Sequence, residues 1–188
     1  MHVVTHIFAG WLLADETGLG PRDRALVAWA SVVPDADGLG VIVDAANKLL
    51  GRGQTTYYEL YHHYLGHGLL GAAVTAVLVY ACALNKRTTA LFALLSFHLH
   101  LFMDVIGSRG SNPIDIWPIN YLAPFSRTPS IAWSGQWPLT GWQNTTITVL
   151  LMMVCIMTAL QRGRSPVVLF SRRADLEFVK VLRRRFAQ

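Results

Sequence analysis

The chain has 188 residues, 53% of them hydrophobic and only 14% charged, with a formal net charge of +5. Counted with glycine in place of tyrosine, the apolar share is about 58%, above the roughly 45–50% of soluble globular domains. The length fits one domain, and Cys82 and Cys155 lie in apolar runs, which argues against a disulfide framework. The first 21 residues contain no Lys or Arg, so we do not expect a secretory signal peptide.

Two short apolar stretches come first along the chain. Residues 3–13 and 25–33 are too short to cross a bilayer alone, and Pro34 ends the second stretch. A Gly/Pro turn at residues 18–21 separates them. We therefore expect two short membrane-associated helices.

Three longer apolar runs follow, each of 19 residues, at 66–84, 88–106 and 142–160. About 20 apolar residues form a helix long enough to cross a hydrocarbon core of roughly 30 Å. A soluble helical core is the alternative, but three such runs in 188 residues would leave too little polar sequence to cover them. The predicted fold is an all-α, polytopic membrane protein with about five membrane-associated helices, three of them full spans and two short.

The remaining segments are a loop and a basic tail. Residues 107–141 contain five prolines and three tryptophans, which predicts an irregular loop at the membrane interface. Residues 1–161 are predicted to form the membrane-embedded domain, and residues 162–188 a basic tail. The tail is predicted to form an amphipathic helix with Leu176, Val179, Leu182 and Phe186 on its apolar face. We expect this helix to lie on anionic lipid and do not expect nucleic-acid binding.

The positive charges predict an orientation, because Lys and Arg favour cytoplasmic loops. Most of the 16 basic residues fall at Arg22/Arg24, at Lys86-Arg87 and in the tail after Leu160. These three places lie on one side of the membrane if the five helices alternate in direction. We therefore expect a multi-pass protein of a bacterial or archaeal cytoplasmic membrane, with its C-terminus in the cytoplasm.

Acidic and imidazole side chains gather at the other end of this predicted bundle. His100 and Asp104 are four residues apart on one helix face. The antiparallel hairpin around Lys86-Arg87 brings His67 to the same end. His6 begins the first short helix and the Asp35/Asp37 pair ends the second, so both are expected there too. Imidazole and carboxylate are ligands for zinc, manganese and non-haem iron, and several carboxylates can hold two or more ions.

Alternative interpretations exist for these residues. Asp104 can form a salt bridge with Arg109 at a wet helix end, and residues 34–38 can be a simple turn. His98 lies off the face shared by His100 and Asp104, so we interpret it as a packing histidine. An aspartate buried in a membrane helix costs about 2.5–3.5 kcal/mol, which favours a bound cation as partner for Asp104.

Four segments carry a family resemblance: THIFAG (5–10), VVPDADG (32–38), HHYLGH (62–67) and HLFMDVIGSRGSNPIDIWP (100–118). In order and spacing they resemble the LexA-regulated, predicted membrane-bound metal-dependent hydrolases, the YdjM-like family. That family is distantly similar to the zinc-dependent phospholipase C and single-strand nuclease superfamily. Carried over by position, the resemblance implies the metal ligands His6, Asp35, Asp37, His62, His67, His100 and Asp104.

The resemblance has two departures. His63 replaces a family arginine, which removes an anchor for phosphate or carboxylate, and Gly66 and Gly68 replace Thr and Ser around the second histidine. On a regular helix His63 and His67 would share a face, whereas His62 would lie about 140° away. We predict His62 as the ligand because Gly66 can break the helix, and His63 is the alternative.

The resemblance implies a membrane-bound hydrolase of phosphoesters with a metal-activated water. The position of the cluster at the outer edge of the membrane suggests a lipid or lipid-linked phosphate as the substrate. The expected cofactor is a divalent metal, zinc before manganese or iron, with Asp35 and Asp37 bridging ions or accepting a proton. The expected partners are membrane lipids and a small-molecule or lipid phosphoester. The alternatives are a metal ion or proton transporter and a non-catalytic, metal-stabilised scaffold.

Overall fold

The protein is all-helical, and the computed structural model describes residues 1–62, 64 and 66–186. Within that part there is no strand, only two isolated β-bridges. Two short 3-10 helices cover Pro34–Leu39 and Pro166–Leu169. The α-helices are α1 (Val3–Asp15), α2 (Pro21–Ala30), α3 (Gly40–Leu49), α4 (Tyr57–Tyr61), α5 (Leu69–Cys82), α6 (Lys86–Gly107), α7 (Trp142–Arg162) and α8 (Arg172–Phe186).

Helix α6 is the centre of the bundle. It packs against α1, α2 and α5, while α7 packs against α1. Ala30, Val79 and Ala93 form one buried contact between α2, α5 and α6. Alanine side chains end at Cβ, so the helix backbones approach closely there. Close packing of this kind holds α2 and α5 against α6.

Two helices, α6 and α7, are long and apolar enough to cross a membrane. A third candidate span is the pair Pro21–Ala30 and Pro34–Leu49, which is bent by 59° at the break between them. Two of the three predicted full spans are thus confirmed in length. The full span predicted at residues 66–84 is too long, because the helix in that region, α5, has 14 residues, which is about 21 Å of helix.

The late start of α5 follows from close contacts at two glycines. A Cβ at Gly66 would lie 2.4 Å from the carbonyl oxygen of Pro34, and one at Gly68 would lie 2.6 Å from that of Tyr121. The Leu69 amide donates to the same Tyr121 oxygen at 2.7 Å. Residues 66–68 therefore run between the segments that contain Pro34 and Tyr121, and they do not form the first turn of a helix.

The 108–141 loop is irregular, as predicted, and two buried amide side chains tie it to α6. Gln136 Nε2 donates to the carbonyl oxygen of Asp104 at 2.9 Å, and Asn144 Nδ2 donates to that of Gly107 at 2.8 Å. Both side chains are at most 1% exposed. These bonds satisfy carbonyl groups at the C-terminal end of α6 that have no partner within the helix.

The tail forms the predicted helix, α8, and packs against α7. Val179 is buried, whereas Leu176 and Phe186 are more than half exposed. Asp175 accepts hydrogen bonds from the amide and hydroxyl of Ser165, and Arg183 Nε donates to the Leu160 carbonyl oxygen at 3.0 Å. The tail is therefore attached to the bundle through α7 and the segment before α8.

Candidate metal centre

Four side chains meet at the C-terminal end of α6. One ligand atom from each of Asp35, His67, His100 and Asp104 lies within 4.8 Å of the others. His100 Nε2 is 3.0 Å from Asp104 Oδ2, 3.2 Å from His67 Nε2 and 3.7 Å from Asp35 Oδ1. His67 Nε2 is 3.3 Å from Asp104 Oδ2. We call these four residues the inner group.

A second set of side chains shares His67 with the inner group. Asp37 Oδ1 is 3.0 Å from His62 Nδ1, and Asp37 Oδ2 is 3.0 Å from His67 Nδ1. The Gly66 amide also donates to Asp37 Oδ2, at 2.9 Å. We call Asp37, His62 and His67 the outer group, whose ligand atoms also lie within 4.8 Å of one another. The imidazole of His67 therefore joins the two groups, with one ring nitrogen in each.

His6 completes the cluster from α1. Its Nε2 is 3.1 Å from Asp104 Oδ1, and its ring stacks on His100 with 3.7 Å between centroids. His6 is fully buried, and its Nδ1 has no hydrogen-bond partner among the described residues. The amino group of Met1 and the hydroxyl of Ser108 also contact Asp104 Oδ1.

Backbone contacts set the orientation of His100. Its Nδ1 donates to the carbonyl oxygen of Ser31 at 2.7 Å. Because a carbonyl oxygen only accepts, Nδ1 carries a proton, and the lone pair of the neutral ring lies at Nε2, on the side of the inner group. The Ser31 hydroxyl donates to the carbonyl oxygens of His6 and Ala28, which holds α1 beside the end of α2. Ligating histidines commonly have such a fixed second nitrogen.

The charge of His67 depends on its two carboxylate neighbours. Burial lowers the pKa of His67, but hydrogen bonds to Asp104 and Asp37 outweigh burial and raise this pKa to about 9. In the absence of a cation, His67 is therefore positively charged at neutral pH, with a second proton at Nε2. A cation at Nε2 would take the place of that proton.

The cluster is closed on the α6 side and is partly exposed at His62 of the outer group and Asp35 of the inner group. His6, His67 and His100 are fully buried, whereas the side chains of His62 and Asp35 are 12% and 17% exposed. His62 lines a cavity of about 430 Å³ whose wall also contains Tyr58, Glu59, Asp115, Ile116, Trp117, Pro118 and Asn120. His62, which contacts Asp37, is the cluster residue on the wall of this cavity.

The structure brings together all seven residues that the sequence singled out as ligands: His6, Asp35, Asp37, His62, His67, His100 and Asp104. Their role as metal ligands stays a prediction. His62 contacts Asp37 and does not share a helix with His67, because α4 ends at Tyr61. The alternative ligand, His63, lies outside the described residues.

The alternative contacts considered for α6 have a clear outcome. His98 bonds the Leu94 carbonyl oxygen and the Tyr121 hydroxyl, each at 2.8 Å, and so is a packing residue. Arg109 donates to the carbonyl oxygen of Pro113, at 3.4 Å, and forms no ion pair with Asp104.

Sequence reasoning missed two kinds of residue at the site. Ser31 acts through its backbone carbonyl, for which no side-chain pattern exists. Tyr58 stacks on the His62 ring, with 4.6 Å between centroids, and Trp117 meets that ring edge-on at 5.6 Å. A signal for Trp117 was available, since Trp117-Pro118 corresponds to the Trp-Pro pair at the end of the resembling segment.

Comparison with known proteins identifies the family of the chain. Residues 1–172 match the family described as YdjM inner membrane protein, and this range contains every residue of the cluster. No curated protein and no solved structure matches the chain. The match covers most of the 188 residues, and the chain belongs to the YdjM inner membrane protein family.

Proposed function

We propose that the chain is a membrane-bound, metal-dependent hydrolase of phosphoesters. The observation that carries this proposal is the inner group, where four ligand atoms from three separate segments lie within 4.8 Å of one another, joined through His67 to an outer group whose His62 lines a cavity. Structural metal sites are usually closed, whereas catalytic sites keep a coordination position open to substrate. The open side at His62 and Asp35 favours catalysis over a scaffold.

The residues fit a divalent cation. The inner group offers two imidazole nitrogens and two carboxylates, a set suited to zinc and also accepted by manganese and iron. Asp35 Oδ2 and His6 Nδ1 are buried atoms without a hydrogen-bond partner among the described residues. Unpaired buried polar atoms are costly, and a cation or an ordered water would satisfy them.

One cation in the inner group is the simplest arrangement. The outer group would take a second cation through Nδ1 of His67, which would require that ring to bridge two ions. With one cation, Asp37 instead holds the rings of His62 and His67 from behind, as carboxylates do for many metal-bound histidines. A bound divalent ion lowers the pKa of water and neutralises charge on phosphate oxygens.

The two candidate catalytic aspartates have different surroundings. Both oxygens of Asp37 already accept hydrogen bonds, from His62, His67 and the Gly66 amide. Asp35 has a side chain that is 17% exposed at the mouth of the cluster and an Oδ2 atom with no donor among the described residues. We therefore assign Asp35 as the base that accepts a proton from the attacking water, and Asp37 as a positioning residue.

Helix α3 supports a lipid or lipid-linked substrate. It has no buried residue, and Val41, Ile42 and Leu49 are 52%, 62% and 87% exposed. Asp44 on α3 accepts hydrogen bonds from the first amides of α4, the helix that carries Tyr58 to the cavity. An apolar helix face attached to the wall of the site suits contact with membrane lipid.

The proposed orientation places the cluster on the outer side of a bacterial or archaeal cytoplasmic membrane. Arg24, Arg162 and Arg164 lie at the other end of the bundle, around the C-terminal end of α1. Lys and Arg favour the cytoplasmic side, so the C-terminus would be cytoplasmic and the chain multi-pass. A reporter enzyme that works only in the periplasm can be fused to the C-terminus. Activity of this fusion would contradict the orientation.

The proposal is tested with a matched pair of variants on one helix. His100→Gln alters the inner group, and His98→Gln alters a packing histidine two residues away. Full-length protein in detergent is assayed for bound metal and for hydrolysis of bis-p-nitrophenyl phosphate. We expect His98→Gln to retain both, and His100→Gln to lose metal and at least about 100-fold in kcat/KM.

Other outcomes would favour the alternatives. Tight metal binding with no hydrolysis of any phosphoester tested would indicate a metal-stabilised scaffold. Metal flux into liposomes that stops in His100→Gln would indicate a transporter.

A further inference from the structure

The cavity beside His62 has a wall of aromatic rings and carboxylates. We propose that it binds the ammonium group of the substrate, so that the phosphoester carries a cationic alcohol of the choline or ethanolamine type. This inference rests on the proposed phosphoester hydrolysis and names its substrate class.

The aromatic wall is formed by Tyr58 and Trp117. The two rings lie 6.2 Å apart between centroids and are tilted by 55°. Tyr58 stacks on His62 at 4.6 Å, and Trp117 meets His62 edge-on at 5.6 Å with an interplanar angle of 78°. Two rings that meet at an angle form a corner, and such corners bind quaternary ammonium groups through cation–π attraction.

The charged wall is acidic. Glu59 and Asp115 are both exposed and line the cavity, and none of its eight lining residues is Lys or Arg. Asp115 accepts a hydrogen bond from Trp117 Nε1 at 3.1 Å, so one carboxylate lies against the aromatic corner. A wall with two carboxylates and no cation attracts a positive group and repels a phosphate.

The two halves of a substrate would therefore bind at different places. The phosphate, which is negative, would lie with the cation in the inner group, past His62. The alcohol half would remain in the cavity, where a neutral or acidic alcohol would gain nothing from Glu59 and Asp115. The volume of about 430 Å³ suits a headgroup, since small-molecule pockets begin at about 300 Å³.

A matched pair of substrates tests the effect of the positive charge on the alcohol half. p-Nitrophenyl phosphorylcholine and p-nitrophenyl 3,3-dimethylbutyl phosphate have nearly the same shape, and only the first has a cation. In both, water forms a new P–O bond, the bond to p-nitrophenolate breaks, and the proton of water passes to Asp35 and then to solvent. We expect zinc-loaded, full-length protein to prefer the choline ester by about tenfold in kcat/KM.

Substitutions in the cavity should remove that preference. Glu59→Gln combined with Asp115→Asn keeps the shape of the wall and the acceptor for Trp117, and we expect the two esters to become equal. Glu177→Gln, which changes an exposed carboxylate on α8, should keep the tenfold preference. Equal hydrolysis of both esters by the unaltered protein would overturn the inference and leave the proposed function standing.

Binding measured without turnover separates the two proposals. Choline phosphate, 3,3-dimethylbutyl phosphate and glycerol phosphate are titrated into zinc-loaded protein by calorimetry. Tighter binding of choline phosphate by about tenfold supports the cationic headgroup even if no ester is hydrolysed, in which case the proposed function fails alone. Glycerol phosphate binding as tightly as choline phosphate, or no binding of any of the three, would overturn the inference.

Discussion

The two ends of the bundle both bury aspartates, but they pair them with different groups. At the histidine end, Asp104 contacts the imidazoles of His6, His67 and His100. At the arginine end, Asp15 is paired with Arg162 and Arg164. The Asp23 carboxylate, also at that end, accepts the backbone amides of Leu84 and Asn85 at 2.9 and 2.7 Å.

This comparison shows that burial of an acid does not by itself mark a functional site. Arg side chains and backbone amides are donors only, so the carboxylates of Asp15 and Asp23 are satisfied and have a structural role. Imidazole can direct a lone pair at a cation, so the same carboxylate among histidines forms a ligand set. Asn85 and Asp104 are about 28 Å apart along α6, so each end can be altered alone.

The largest expected difference is in metal affinity. Asp104→Asn removes the carboxylate that contacts three histidines, and we expect zinc affinity to fall by more than about 100-fold. Asp23→Asn, at the opposite end, should leave zinc affinity unchanged and lower the thermal stability. Competition titration against a chelating dye measures both affinities. Equal losses of zinc affinity in the two variants would contradict the assignment of the metal site to the histidine end.

A smaller effect is expected from the carboxylate that holds the histidine rings. Asp37→Asn keeps one acceptor oxygen but loses the negative charge beside His62 and His67, and we expect zinc affinity to fall by about 10- to 100-fold. The same titration measures it. An unchanged affinity would mean that Asp37 has no part in positioning the ligands.

Much of the site could be predicted from the sequence because its signals are local. His100 and Asp104 share a helix face through their spacing, and the Asp35/Asp37 pair follows directly after a helix. The extent of α5 could not be predicted from hydropathy alone, because residues 66–68 adjoin an apolar run that continues to Leu84. Contacts with Pro34 and Tyr121, which are distant in sequence, occupy residues 66–68, and the helix begins at Leu69.

Zinc binding by the cluster at the histidine end should depend on pH. The pKa of His67 is raised to about 9, so below that pH the metal-free ring is protonated and zinc must displace the proton. Zinc affinity should therefore rise by about tenfold per pH unit between pH 6.5 and 8.5. Titrations at five pH values measure the slope, and an affinity independent of pH would contradict the assigned protonation of His67.

The smallest expected effect is on stability at the arginine end. Asp15→Asn leaves Arg162 and Arg164 without their shared carboxylate, and both arginine side chains are about a third exposed. Water screens them, so we expect a loss of about 1–2 kcal/mol rather than the 3–5 kcal/mol of a fully buried pair. Thermal unfolding in detergent measures the loss, and zinc content should stay at the level of the unaltered protein.

The most direct test is the coordination of zinc in the unaltered protein, measured by X-ray absorption on the full-length chain in detergent. We expect one tightly bound zinc with nitrogen and oxygen ligands at about 2.0–2.2 Å and the scattering pattern of at least two imidazoles. A protein that retains no divalent metal after gel filtration, or a zinc surrounded by oxygen alone, would contradict this expectation.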